Sequence, residues 1–345
     1  MTQRTEWIEP GAFPVAPGVH RIPLPLPSDG LRAVNVYAIV GADGLVLIDG
    51  GWALEESRRR LEAALKEIGY GLGDITRFLV THVHRDHYTQ AVAVRREFGT
   101  RVSLGIGERE TLELLTRPPR REDSPQLARL LACGAGPLID RLKVTWEEGG
   151  HDALAWEMPD DWIDGRTAVP LGERELLAVP TPGHTRGHLV FADLDAGLMF
   201  AGDHVLPHIT PSIGFESAPG ASPLGAYLDS LRLVKELPDL RLLPAHGPVT
   251  DSVHARVDAL LEHHAERLDA SEAAVAAGSG TAYETARALT WTRRERSFDD
   301  LDLFNQMLAT TETHAHLEVL VTQGRLRSRV DGDGSVIFER AVQGV

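Results

Sequence analysis

Between His82 and His87 the chain reads His-Val-His-Arg-Asp-His, which places four imidazole or carboxylate groups within six residues. Imidazole is the commonest protein metal ligand, and neutral imidazoles together with carboxylates suit divalent cations. An apolar run over 76–81 leads directly into the cluster. On an extended backbone the side chains at 82, 84 and 86 project to one side, and His87 turns in where a helix starts. Four such groups can serve two adjacent divalent metals, whereas a single His-x-His would read as a solvated turn. Three further sites repeat the pattern. Pro182-Gly183-His184 follows the strand-like run 174–180, Ala201-Gly202-Asp203-His204 closes the run LMFAGD, and Pro244-Ala245-His246-Gly247 closes the run 241–245. An apolar strand ending in a Gly-flanked turn with an imidazole or carboxylate is the setting in which α/β folds collect functional groups.

The surrounding elements are those of a layered α/β domain. Two β-branched runs over 33–49 predict a pair of strands that ends at Asp49-Gly50-Gly51, followed by an amphipathic helix over 54–68. The strand 76–81, a helix over 88–98 and the short strand RVSLG come next. Residues 107–165 break the rhythm. They are rich in Arg, Glu and Pro, predict helices near 107–116, 124–133 and 137–143, and carry Trp146, Trp156 and Trp162. This helical insertion is expected either to add packing or to form a lid or homodimer surface, with tryptophans that bind an apolar acyl or aromatic group. Strands resume after it, followed by a helix over 223–236 and a strand over 241–245. A long helix over 250–277, a break at Ala277-Gly278-Ser279-Gly280, helices over 283–289, 299–307 and 310–322, and the hairpin RLRSRV-DGDG-SVIFER predict a small winged-helix-like domain. The expected organisation is a catalytic domain over 1–265 and a C-terminal domain over 266–345.

Composition narrows the partners. Lys and Arg number 35 and Asp and Glu 50, so the formal charge is 35 − 50 = −15, which disfavours a nucleic-acid partner without excluding one. Hydrophobic residues make up 43% of the chain, enough for a sizeable core. Cys133 is the single cysteine among 15 histidines, so no intrachain disulfide or cysteine-based zinc finger can be built. The N-terminal residues lack the basic-then-apolar pattern of a signal peptide, and no run is long enough to span a membrane. A cytoplasmic protein is expected, and the Ala- and Arg-rich composition suggests a bacterial one.

In their order, LIDGG, THVHRDH, TPGHT, AGDH and PAHG resemble the blocks of the metallo-β-lactamase superfamily over roughly residues 18–265. The resemblance implies a four-layer αβ/βα sandwich. It also implies that His82, His84 and His184 hold one metal, that Asp86, His87 and His246 hold a second, and that Asp203 bridges them. Asp49 would lie behind the ligands, near a metal-bound water or a ligand imidazole, and Asp86 or Asp203 would orient the nucleophile. The β-lactamases proper carry a Cys, or no acidic ligand, where this chain has Asp203. An Asp there resembles instead the glyoxalase II, lactonase and nuclease branches. The C-terminal segment resembles that of lactamase-β-like-2-type proteins, some of which cleave single-stranded RNA. After the metal motif many members have Gly-Gly, but this chain has Tyr88-Thr89-Gln90.

The expected activity is a binuclear hydrolase in which a metal-bridging hydroxide cleaves a small acyl ester, thioester or lactone. Zinc fits the donor set, and iron or manganese is compatible with it. The alternatives are a metal-dependent endoribonuclease or phosphodiesterase and, ranked lower, a mononuclear-iron dioxygenase. His204 and His208 flank the Asp203 turn and are candidates for substrate contact. His188 reads as a structural hydrogen-bonding residue, His263 and His264 as solvated on the long helix, and Cys133 as a buried apolar residue. His314 and His316 have no motif context. The alternation of Arg325, Arg327 and Arg329 could form a small basic stripe, beside Asp331, Asp333 and Glu339.

Overall fold

The computed structural model describes residues 6–27, 30–42, 44–117, 124–145, 155–292 and 294–341. Trp146 lies outside them. The described residues fall into two compact units. One comprises Met1–Arg117, Asp152–Pro211 and Ser230–Asp258, and the other Pro118–His151, Ser212–Asp229 and Ala259–Val345.

The first unit is built on two sheets. Strands β1 (Phe13–Ala16), β2 (Val19–Pro25), β3 (Ala33–Gly41), β4 (Gly44–Ile48), β5 (Ile75–Leu79), β6 (Arg101–Gly105) and β7 (Asp161–Ile163) lie side by side in that order. The first four are antiparallel neighbours, and β4 to β7 are parallel. Helices α1 (Glu55–Glu67), α2 (Arg85–Phe98) and α3 (Arg109–Leu115) supply the crossovers that parallel pairing requires. The second sheet has the order β12-β11-β10-β9-β8, from β8 (Thr167–Leu171), β9 (Arg174–Pro180), β10 (Leu189–Asp193), β11 (Leu198–Gly202) and β12 (Arg241–Pro244).

Strand alternation explains how the layers stack. On β3, β4 and β5, one set of side chains (Val34, Val36, Ala38, Leu45, Leu47, Phe78) packs with Leu61 and Leu65 of α1 and with Tyr88, Ala91 and Val92 of α2. The intervening set (Tyr37, Ile39, Val46, Ile48, Leu79) packs against Leu176, Ala178, Phe191, Phe200 and Leu243 of the second sheet. The rings of Tyr37 and Phe200 meet edge to face at 5.4 Å. Each wholly buried side chain of this size contributes about 1.5–3 kcal/mol by leaving water, so the inter-sheet layer fixes which strand ends face each other. Val190, Ala192 and Met199, on the opposite face of the second sheet, are also fully buried. Both sheets are therefore covered, which is the expected αβ/βα layering.

The end of the insertion belongs to the first sheet. Strand β7 pairs with β6, and Trp156 and Trp162 are half-buried against the core of that sheet. The Trp156 ring stacks on Tyr88 at 6.3 Å, and the Tyr88 hydroxyl donates to the Glu157 carbonyl at 2.7 Å. These two tryptophans pack against the core of the domain. Tyr88, directly after the metal motif, gives Trp156 its partner, and the Arg109 guanidinium lies over the Trp162 ring at 5.1 Å.

The second unit contains α4 (Pro125–Ala132), α5 (Gly136–Thr145), the C-terminal part of α7 (Val253–Ala276), α8 (Ala282–Ala288), α9 (Leu303–Thr322) and the hairpin of β13 (Leu326–Val330) and β14 (Val336–Arg340). Helix α6 (Pro223–Lys235) precedes α7 in the chain. The sequence predicted helices over 299–307 and 310–322. Instead, Phe298–Asp300 forms one 3-10 turn and α9 runs unbroken from Leu303. The start is set by Asp302, whose carboxylate accepts from the Asn305 amide at 2.9 Å. No residue at 308–309 stops a helix. In the hairpin, Arg327 pairs with Glu339, Arg329 with Asp331, and Arg325 with Asp269 and Glu272. Every arginine of the anticipated stripe therefore meets a carboxylate. Cys133 is buried.

Candidate metal centre

The site residues all stand just beyond strand ends. Asp49 follows β4, His82 and His84 follow β5, His184 follows β9, Asp203 follows β11 and His246 follows β12. One detail differs from the expected geometry. The backbone is extended only through His84, because α2 begins at Arg85 with His84 at its cap position. Asp86 and His87 therefore lie in the first helical turn, where the exposed amides and helix dipole favour a carboxylate. This bend sorts the motif into two sets. Donor atoms of His82, His84, His184 and Asp203 lie within 4.8 Å of one another, as do those of Asp86, His87 and His246.

In the first set, His84 Nδ1 lies 3.0 Å from both His82 Nε2 and His184 Nε2. In the second, His246 Nε2 is 3.4 Å from Asp86 Oδ2, and His87 Nε2 is 3.6 Å from the same oxygen. Asp203 reaches both sets, with Oδ2 3.5 Å from His184 Nε2 and Oδ1 3.3 Å from His246 Nε2.

Three imidazoles have their tautomers fixed from behind. His246 Nδ1 donates to the Ala33 carbonyl at 2.8 Å, and His87 Nδ1 donates to Asp49 Oδ2 at 2.8 Å. Thr81 Oγ1 donates to the Asp49 carboxylate at 3.0 Å and accepts from His82 Nδ1 at 3.1 Å. In the neutral imidazole each arrangement leaves Nε2 as a lone pair aimed into the centre, the orientation that metal-binding histidines need. The fit to cations follows from what is left over. His87 Nε2, His246 Nε2 and Asp203 Oδ1 are buried and find no hydrogen-bond partner among the described residues. A single proton on His84 Nδ1 could satisfy only one of its two neighbours. Buried polar atoms are rarely left so, and a divalent cation in each set would satisfy them together.

The charges differ between the sets. Burial, reinforced by neighbouring imidazoles, holds His82 and His84 well below the ordinary histidine range. Burial also pulls on His87, but Asp86, Asp49 and Asp203 outweigh it and raise its pKa to about 10. His246 is raised likewise by Asp203 and Asp86 against its burial. Asp203, despite burial, is held well below the carboxylate range by His246 and His87.

His188 is buried, donates from Nδ1 to Thr181 Oγ1 at 2.9 Å, and accepts the Asp203 amide on Nε2 at 3.2 Å. It thus holds the Asp203 turn. Gly202 has φ +51, and a Cβ there would lie 2.7 Å from both His188 Nε2 and Thr81 Oγ1. His204 is fully buried, its ring 5.9 Å from that of His188, and burial lowers its pKa to about 3. His208 is exposed. His264 and His316, read as solvated and without context, are 0% and 2% exposed.

Sequence reasoning missed two supporting residues. Thr81 links Asp49 to His82, as described. Asn35 donates from Nδ2 to the Pro244 and Gly247 carbonyls at 3.0 and 2.9 Å, clasping the turn that carries His246. A wholly buried Asn inside the apolar run AVNVYAIV was the available signal.

The family model described as the metallo-beta-lactamase superfamily matches residues 29–246. The chain belongs to that superfamily. It is 24% identical over 329 residues to a Bacillus subtilis protein named "Probable metallo-hydrolase YqjP", covering 91% of this chain and 94% of that one. A Caenorhabditis elegans "Beta-lactamase-like protein 2 homolog" is 33% identical over 106 residues, about a third of either chain. The crystal structure of the metallo-beta-lactamase family protein TTHA1429 from Thermus thermophilus superposes with a TM-score of 0.77 at 28% identity, over 95% of this chain and all of that one. The superfamily member is a metal-dependent hydrolase, with His/Asp clusters suited to divalent cations. Among the described residues no helix is long and apolar enough to cross a membrane.

Proposed function

We propose that this hydrolase binds two zinc ions and cleaves a small acyl ester, thioester or lactone. The observation that carries the reading is the Asp203 carboxylate, one oxygen toward each set of buried imidazoles. His82, His84 and His184 would hold one ion, Asp86, His87 and His246 the other, with Asp203 between them. Such ions supply Lewis acidity, polarising the scissile oxygen and bringing the pKa of water toward about 7.

The protein's own groups do the rest. Asp86 has the more open carboxylate, its side chain 15% exposed against 9% for Asp203, and it is placed to hold a proton of the attacking water. Asp203, between the two sets, would help to orient that water. Asp49 and Thr81 keep the imidazoles in register during turnover. The acidic surface and the paired arginines of the hairpin favour a small acyl substrate over a phosphodiester backbone.

The test combines metal analysis with a substrate panel of thioesters, lactones, aryl esters, bis(p-nitrophenyl) phosphate and single-stranded RNA. We expect acyl hydrolysis, abolished in His82→Ala/Asp203→Ala/His246→Ala together with two zinc equivalents per chain. Cleavage of the phosphodiester or RNA alone overturns the substrate class. Iron in a single-ion centre overturns the binuclear zinc assignment in favour of oxygenation.

A further inference from the structure

The second unit holds another convergence of ligand-type side chains, and nothing in the active centre uses it. His264 of α7 and Glu312 and His316 of α9 present donor atoms that all lie within 4.8 Å of one another. Glu312 and His316 are four residues apart on one helix, hence on the same face. His264 Nδ1 and His316 Nε2 are 3.1 Å apart. His316 Nδ1 lies 2.8 Å from the Glu312 carbonyl oxygen. A carbonyl can only accept, so Nδ1 carries the proton and Nε2 is a lone pair directed at His264. The same device, a carbonyl behind Nδ1, fixes His246 in the active centre. The spacing also matches: imidazole donors of the active centre approach to 3.0 Å. A tetrahedral zinc with Zn–N of about 2.0–2.1 Å places its ligand nitrogens about 3.4 Å apart.

We propose that His264, Glu312 and His316 form a separate structural site for a divalent transition-metal ion, zinc by its donor set, that fastens α7 to α9 within the second unit. Two imidazoles and one carboxylate are a donor set that zinc accepts. The site is enclosed, since His264 and His316 are buried and Tyr227, also buried, sets its ring edge-on to His264 at 5.5 Å. Arg267 faces Glu312 and favours its carboxylate against burial, while its guanidinium also meets the Trp291 ring at 4.3 Å and donates to the Thr290 carbonyl at 3.0 Å. The competing arrangement is a simple hydrogen bond from His264 to His316, with no ion.

The experiment compares zinc content after dialysis against metal-free buffer in the full chain and in His264→Gln/His316→Gln, whose amides can still hydrogen-bond to each other. One zinc equivalent per chain is expected to be lost, with the active-centre metals retained. Unchanged content in a folded variant overturns the proposal. Should the variant fail to fold, crystals of the unmutated protein measured on both sides of the zinc absorption edge decide independently. An anomalous peak between His264 and His316 is expected, and its absence from crystals grown with zinc overturns the assignment.

Discussion

Asp49→Asn removes one charge and little else. Asp49 has φ +62, a left-handed conformation that Asn adopts more readily than other residues, so the backbone has little reason to move. The carboxylate accepts from the Thr81 amide at 2.8 Å through Oδ1 and from His87 Nδ1 at 2.8 Å through Oδ2. An Asn has one acceptor where Asp has two. If its oxygen keeps the Thr81 amide, its NH2 faces His87 Nδ1. His87 must then move its proton to Nε2, away from the tautomer that can bind a cation. Loss of such a partner behind a metal-binding histidine costs 10- to 100-fold in metal affinity, about 1.4–2.8 kcal/mol. One effect opposes it: without Asp49, His87 holds its own proton less tightly, which eases competition with the metal. That relief fades as pH rises toward the His87 value of about 10. Competition titrations against a chromophoric chelator should therefore show a loss confined to one ion, growing from pH 7 to pH 9. Equal affinities for both ions in parent and variant at both pH values would refute the tautomer argument.

Two other perturbations probe the same scaffold. Gly202→Ala puts a methyl group 2.7 Å from His188 Nε2 and Thr81 Oγ1 at a positive φ, so urea unfolding should show a loss of about 1–3 kcal/mol, with lower zinc occupancy. In the metal-free protein His87 is protonated below about pH 10 whereas His82 and His84 are neutral. Metal in the second set must displace that proton, and any that His246 with its raised pKa still holds, so its affinity should climb by at least about tenfold per pH unit through the neutral range. The first set should stay nearly flat, as calorimetry in buffers of different ionisation enthalpy can establish.

The candidate metal site was legible because metal chemistry restricts residue types, and because most of its residues follow an apolar strand whose end is easy to place. The start of α2 was harder to read. Arg85-Asp86 carries no strong helix signal on its own, and only the bend after His84 separates one cluster into two sets. The sequence left open whether Trp156 packs or lines a lid, because Tyr88, its stacking partner, sits almost seventy residues earlier in the chain. His264 and His316 are 52 residues apart and gave no local cue. Burial of a histidine depends on which helices pack together, and periodicity alone does not decide that. Thr81 and Asn35 were overlooked for a related reason: they act on other side chains and carbonyls, not on a reacting atom.

The residues proposed to hold the ions come from both sheets, His82 and His84 from the end of β5 and His184, Asp203 and His246 from the ends of β9, β11 and β12. A cation held among them is therefore a cross-link, tying chain segments more than 160 residues apart in sequence. It binds the folded domain far better than the unfolded chain, so the domain's resistance to unfolding rises with the logarithm of free metal concentration. A newly made chain must first bring the two sheets together with several imidazoles desolvated and unpartnered, and is least secure in that interval. With cations bound there, free metal would set the domain's stability as well as its turnover.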